Sequence, residues 1–271
     1  MLKRLGQGVL FLAFVVLTSL LQEQKDSTDL MISEATEQLP SPDNPEASPG
    51  LLRQGRLHIS DTRLTLKDSD IKRLLSKKRG SASAGSYTLR NSKTGTYTMI
   101  APGVDQQYYL VNSFFDGYLP FRVENPILAL YAISQRKRYQ YDHITYPGRP
   151  EVWQSSRQAF YQKVGDCEDH AILLADWLIG LGYDARVAVG DYNGEGHAWV
   201  VLFVEGSEYL LEATQKRGIK RLKVFPLASL QRKYHPTYMF NNEFFWQNTG
   251  SKFTTRYASA NWVKKSQYLA N

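Results

Sequence analysis

The chain has 271 residues, of which 42% are apolar and 22% charged, with a single cysteine, Cys167. These proportions exclude a wholly disordered chain, and a lone thiol excludes an intrachain disulfide framework, an iron–sulfur site and a Cys-rich zinc site. The net charge of +7 is uneven: residues 25–50 hold one base and six acids (net −5), and residues 51–271 hold 30 bases and 19 acids (net +11), so the later part attracts anionic surfaces.

Lys3 and Arg4 precede an apolar run from Val9 to Leu21, which is an export pattern. The small residues suited to a cleavage site, Thr18 and Ser19, have Val16 and Leu17 two positions upstream, a poor cleavage signal. An uncleaved single-pass anchor over residues 1–21 is therefore favoured over a cleaved signal segment, although the run is shorter than the roughly 20 residues of a full span. The positive residues stay cytoplasmic, which puts the rest outside the cytoplasm, in the periplasm if the cell is Gram-negative. Residues 22–50 carry Pro40, Pro42, Pro45 and Pro49 among Ser, Asp and Glu, and read as a tether. The folded domain is expected over residues 51–271.

Asp68 to Lys78 reads as a short helix with Ile71, Leu74 and Leu75 on one side. Gly80 to Gly85 is a small-residue loop, and Tyr87 to Ile100 alternates as strands do. Asn125-Pro126 starts a helix that runs to about Arg138, because Asn caps and Pro suits the first turn. Another helix is expected over Pro150 to Gln162. A further helix opens at Asp166-Cys167, with Cys167, Ala171, Leu174, Leu178 and Leu181 on one stripe and Gly182 as its C-terminal cap. Ala185 to Gly190 is a strand, Asp191 to Gly196 a loop, His197 to Val204 a central strand, Glu205 to Glu208 a turn and Tyr209 to Thr214 another strand. A helix followed by an antiparallel sheet predicts an α+β fold.

The chemistry concentrates in that last stretch. Cys167 lies at a helix start, where free N–H groups and the helix dipole favour a thiolate. His197 begins the central strand. Glu212 follows across one hairpin, in the apolar context Leu210-Leu211-Glu212-Ala213, where a carboxylate needs a partner. Together they supply a nucleophile, a base and an orienting acid.

Gly165-Asp166-Cys167-Glu168-Asp169-His170-Ala171, then Gly182-Tyr183, His197-Ala198-Trp199-Val200 and Leu211-Glu212-Ala213-Thr214, resemble the transglutaminase-like superfamily, in its bacterial cysteine-proteinase flavour. The resemblance covers about residues 150–215. It implies a papain-like fold, a Cys167–His197–Glu212 triad and an acyl-enzyme that hydrolyses a protein or peptide substrate. Many relatives carry Asp at the third position, so Glu212 departs from the pattern by one methylene. Acyl transfer to an amine would use the same triad. A non-catalytic scaffold is the alternative of a different class.

Asp166 and Glu168 flank the thiol and should raise its pKa, against the dipole. Some relatives with the Asp-Cys-Glu tripeptide are thought to bind calcium there, so these two residues are candidate calcium ligands; helix capping is the simpler expectation. No other cofactor is called for. His170 stands in a Cys-x-x-His pair that lacks further ligands for a metal site. Trp153 reads as groove lining or core. Gln154, Gln158 and Gln162 are oxyanion-donor candidates alongside the Cys167 N–H. The clusters Arg136-Lys137-Arg138 and Lys216, Arg217, Lys220, Arg221, Lys223 read as solvated faces, or as sites that hold an acidic partner, phospholipid headgroups or an anionic envelope polymer. The membrane is the expected partner of the N-terminal segment, and an exported chain has no use for nucleic acid. The aromatic residues Tyr234, Tyr238, Phe240, Phe244, Phe245 and Trp246 read as packing around the sheet.

Overall fold

Apolar and aromatic alternation after residue 183 builds most of one large sheet. The computed structural model describes residues 52–76, 85–219 and 224–271. The expected anchor (1–21) and tether (22–50), most of the 80–85 loop, and Lys220, Arg221 and Lys223 lie outside these residues. Strands β8 (Asp184–Tyr192), β9 (Glu195–Val204), β10 (Ser207–Leu211), β11 (Tyr234–Phe240), β12 (Phe244–Asn248) and β13 (Trp262–Ala270) join the N-terminal β1 (Gly55–Ile59) and β2 (Thr65–Lys67). Their order is β10-β9-β8-β11-β12-β13-β1-β2, antiparallel at every junction. A second sheet, β3 (Tyr87–Asn91), β4 (Gly95–Pro102) and β5 (Tyr108–Leu110), lays the buried β4 against β12 and β13. A short parallel pair joins β6 (Arg138–Tyr139) to β7 (Val164–Gly165). With five α-helices among the described residues, the class is α+β.

The helix Cys167–Gly180 packs on β8 and β9 and on two neighbouring helices, Pro126–Arg136 and Ser156–Tyr161. Every residue from Glu168 to Leu178 is buried, so the single apolar stripe read from the sequence is one face of a helix enclosed all round. The helix ends as Gly182 suggested. Gly182 adopts φ +94°, its N–H donates to Ile179 O, and the Tyr183 N–H donates to Leu178 O, which is the Schellman pattern. Trp199, Val201, Leu210, Tyr234, Met239, Trp246 and Tyr257 pack as one cluster. Ala198, Val200 and Leu202 alternate with Trp199 and Val201 and are also buried, as a strand covered on both faces requires.

Local chemistry corrects several expected boundaries. The helix predicted over Pro150 to Gln162 spans only Ser156–Tyr161, because Ser155 and Gln158 form a reciprocal capping box that fixes its start. Trp153 lies before it in extended backbone, bridged to Gly103. The helix begun by Asn125 stops at Arg136, and Arg138 enters β6. The predicted Asp191–Gly196 loop is a two-residue turn: Asn193 (φ 54°) and Gly194 (φ 93°) connect Tyr192 directly to its partner Glu195. Asn-Gly is the preferred pair for such a turn, whose twist continues both strands. β10 ends at Leu211, so Glu212 follows the strand and does not lie in it. Among the described residues, no helix is long and apolar enough to cross a membrane.

Candidate active site

His197 lies in β9 opposite Gly190 of β8. Its ring sits among Tyr192, Trp199 and Tyr234, with centroids 5.5, 6.3 and 6.4 Å away. Its Nε2 meets Glu212 Oε2 at 2.9 Å. Glu212 leaves β10 into a tight turn and is saturated with donors. The Thr214 N–H and hydroxyl donate to Oε1 at 3.0 and 2.6 Å, and the Tyr234 hydroxyl donates to Oε2 at 2.9 Å. Burial pulls the Glu212 carboxyl up, but the His197 bond and charge and the two Thr214 bonds outweigh it and hold the group below its ordinary range. Tyr234 is pushed well above its ordinary value, first by burial and then by the Glu212 charge, so it stays protonated and remains a donor.

Cys167 begins its helix and is half-buried. The backbone N–H of Ala198, the residue after His197, is near enough to the thiol to favour its charged form. The thiol itself donates to Glu168 Oε2 at 3.3 Å. Among the described residues, the thiol and the imidazole are not hydrogen-bonded to each other, and His197 Nδ1 has no partner. Burial, and after it the Asp166 charge, push the thiol up to about 12. The dipole-favoured thiolate expected from the helix start is therefore overruled in this state.

The acids beside the thiol do not cap the helix as expected. Asp166 is the N-cap residue, yet its side chain makes no capping bond. Asp169, three residues on, accepts from the Gln154 amide at 2.8 Å instead. Carboxylate oxygens of Asp142, Asp166, Glu168 and Asp169 lie within 4.8 Å of one another. One oxygen of each is buried without a hydrogen-bond partner: Asp142 Oδ1, Asp166 Oδ1, Glu168 Oε1 and Asp169 Oδ2. Orphaned buried acceptors are costly, and a divalent cation is a partner that several carboxylates share. The donor set therefore fits calcium, with Asp142 and Asp169 added to the two residues read from the sequence. Burial and mutual repulsion push the Glu168 and Asp142 carboxyls upward.

Other expectations are corrected here. Lys137 is buried, with Nζ donating to Gln154 Oε1 at 2.8 Å and to Val164 O at 2.7 Å. Arg136 lies 4.1 Å over the Phe160 ring and donates to Phe160 O. Of the 136–138 cluster, only Arg138 is exposed as a solvated face requires. The three glutamines hold structural bonds: Gln154 with Lys137, Gln158 in the capping box, and Gln162 with Tyr146. Trp153 is buried against Phe114 and Phe240, which makes it core. Tyr234, Lys137 and Asp142 were not singled out as site residues; they come from distant segments and carry no local motif.

Residues 151–269 match the family model of the CEP76 peptidase-like domain. The match covers under half of the chain. Among curated relatives, centrosomal protein of 76 kDa from Mus musculus is 32% identical over 117 residues, 37% of this chain and 17% of that protein. The Xenopus laevis protein of the same name is 44% identical over 55 residues, 20% of this chain and 8% of that protein. The chain thus spans under a fifth of the length of these relatives. Among solved structures, Legionella pneumophila LapG is similar with a TM-score of 0.38 and 20% identity, over 51% of this chain and 75% of that one.

Proposed function

We propose that the chain is a thiol hydrolase, a peptidase or amidase with a transglutaminase-like, papain-like core, acting through Cys167, His197 and Glu212. One observation carries this reading. His197 Nε2 meets Glu212 at 2.9 Å, and the backbone N–H of the next residue, Ala198, is near enough to the Cys167 thiol to favour its charged form. The likeness to a peptidase-like domain supports it.

The open Nδ1 of His197 takes the thiol proton, and Glu212 stabilises the imidazolium from the other side. The thiolate attacks an amide carbonyl. The Cys167 N–H, an unpaired donor of the first helical turn, faces the oxyanion. His197 returns the proton to the departing amine, leaving a thioester on Cys167. Water, deprotonated by the same imidazole, then releases the acid and restores the thiol. Calcium is the proposed occupant of the Asp142, Asp166, Glu168 and Asp169 cluster; when bound it supplies positive charge beside the thiol. An uncleaved N-terminal anchor places the domain outside the cytoplasm in this reading.

A peptidyl electrophile tests the chemistry, with adducts read by intact mass. The wild-type chain should be labelled on its one cysteine about 10²-fold faster than His197→Ala, with no labelling in Cys167→Ala. Equal rates in the first two would sink the proposal. A product joined to an added labelled amine would move it to acyl transfer.

The second reading is a non-catalytic binding module. It is favoured by the thiol donating to Glu168 and not to His197. The labelling experiment separates the two.

Calcium carries its own expectation. At a concentration about 100 times its dissociation constant, calcium should add about 2.7 kcal/mol of stability, raising Tm by roughly 5–10 °C over the chelated protein. Identical melting curves in calcium and chelator would remove the ion from the account.

A further inference from the structure

Two groups remain outside this chemistry: His170, which binds no metal with Cys167, and Lys216, which the sequence placed in a solvated basic run. The structure brings them together. Lys216 Nζ lies 3.0 Å from His170 Nε2 and donates to Lys137 O at 2.6 Å. His170 is buried, and its Nδ1 lies 2.6 Å from Asp166 O.

The proton inventory fixes the roles. A lysine ammonium only donates, so His170 Nε2 is the acceptor. The ring's proton is then on Nδ1, which donates to the Asp166 carbonyl. Tyr139 stacks on the ring at 6.2 Å and closes it on another side.

These bonds join the two halves of the site. Lys216 is four residues beyond Glu212, just after the turn that Glu212 opens. Asp166 immediately precedes Cys167 and has no side-chain capping bond to set its orientation. We infer that Lys216 and His170 are positioning residues: a strut that fixes the Glu212 loop against the first turn of the cysteine helix, and so sets how the thiol meets the His197–Glu212 pair. This rests on the proposed thiol chemistry, because only there does that spacing matter to rate. Neither residue touches the reacting atoms.

The test uses the full chain and its sole cysteine. Second-order rate constants for iodoacetamide are measured at neutral pH, in millimolar calcium and in chelator, for wild type, His197→Ala, Lys216→Met and Lys216→Arg. Lys216→Met removes the donors and keeps most of the side-chain length, whereas Lys216→Arg keeps donors. The expected result is a wild type faster than His197→Ala, a Lys216→Met variant at least about 5-fold slower than wild type, and recovery of most of that loss in Lys216→Arg. Lys216→Met as fast as wild type, with His197→Ala slow, overturns the strut and leaves the proposed function standing. A wild type no faster than His197→Ala overturns both. Nitrogen NMR of His170 gives a readout independent of reactivity: the neutral Nδ1–H form is expected in wild type and Lys216→Arg. The Nε2–H form there would overturn the strut, even if Lys216→Met failed to fold.

Discussion

Glu212→Gln is expected to slow electrophile capture by Cys167 about 10²-fold or more while conserving side-chain size. All four groups around the carboxylate act on it as donors: the His197 ring, the Tyr234 hydroxyl, and the Thr214 amide and hydroxyl. An amide offers one oxygen and one NH2. Turned either way, the nitrogen faces one hydroxyl, which can rotate to accept, and one N–H, of Thr214 or His197, so one of the four bonds is lost as it stands. The negative charge that stabilises the imidazolium disappears as well. Bonds to a charged group contribute about 1.5–3 kcal/mol each, so stability should also fall by about 2 kcal/mol. Tyr234→Phe removes one donor and keeps the charge, so its effect should be well under a tenth of that on rate. Rates by intact mass and melting curves check both. A Glu212→Gln chain as reactive as wild type would detach Glu212 from the chemistry.

Gly190→Ala should be the most damaging single methyl near the site. Gly190 pairs with His197 on one side and with Pro236 of β11 on the other. A Cβ there would strike the His235 carbonyl oxygen and lie 2.8 Å from Pro236 Cα, both backbone atoms. The sheet can relieve this only by moving β11 away from β8. That separates His197 from Tyr234, which starts β11. A loss of about 3 kcal/mol is expected, or roughly 6–10 °C in Tm, together with slower thiol capture. Gly196 is the internal control: it adjoins His197, its added Cβ would meet nothing within 4 Å, and its backbone needs no positive φ. Gly196→Ala should melt within about 2 °C of wild type. Equal losses at the two positions would refute the steric account.

Much of this was legible from residue order because it is local. Asn125 caps its helix through its own side chain, Gly182 terminates another, and the apolar run from His197 to Val204 is the enclosed strand it resembles. Local signals were also misread. Ser155-x-x-Gln158 marks a helix start that was placed too early, and Asn193-Gly194 marks a tight hairpin that was taken for a longer loop. What sequence could not give was pairing over distance. Tyr234 is 22 residues from Glu212, and Lys137 is 17 from Gln154. Nothing in the run Arg136-Lys137-Arg138 shows that its middle member is enclosed while its last is exposed. The burial of Glu168, which accepts from the thiol, depends on helices that meet only in the folded chain.

The place of β1 in the sheet has a kinetic meaning. Leu57 pairs with Tyr268, more than 200 positions later, so β1, already paired with β2 on one side, finds its other neighbour β13 only after nearly the whole chain has left the ribosome. Until then β12 and β1 both present open edges, which invite pairing with other nascent copies. The domain should depend on holdase chaperones during synthesis, and a stop codon ahead of β13 should send it to inclusion bodies.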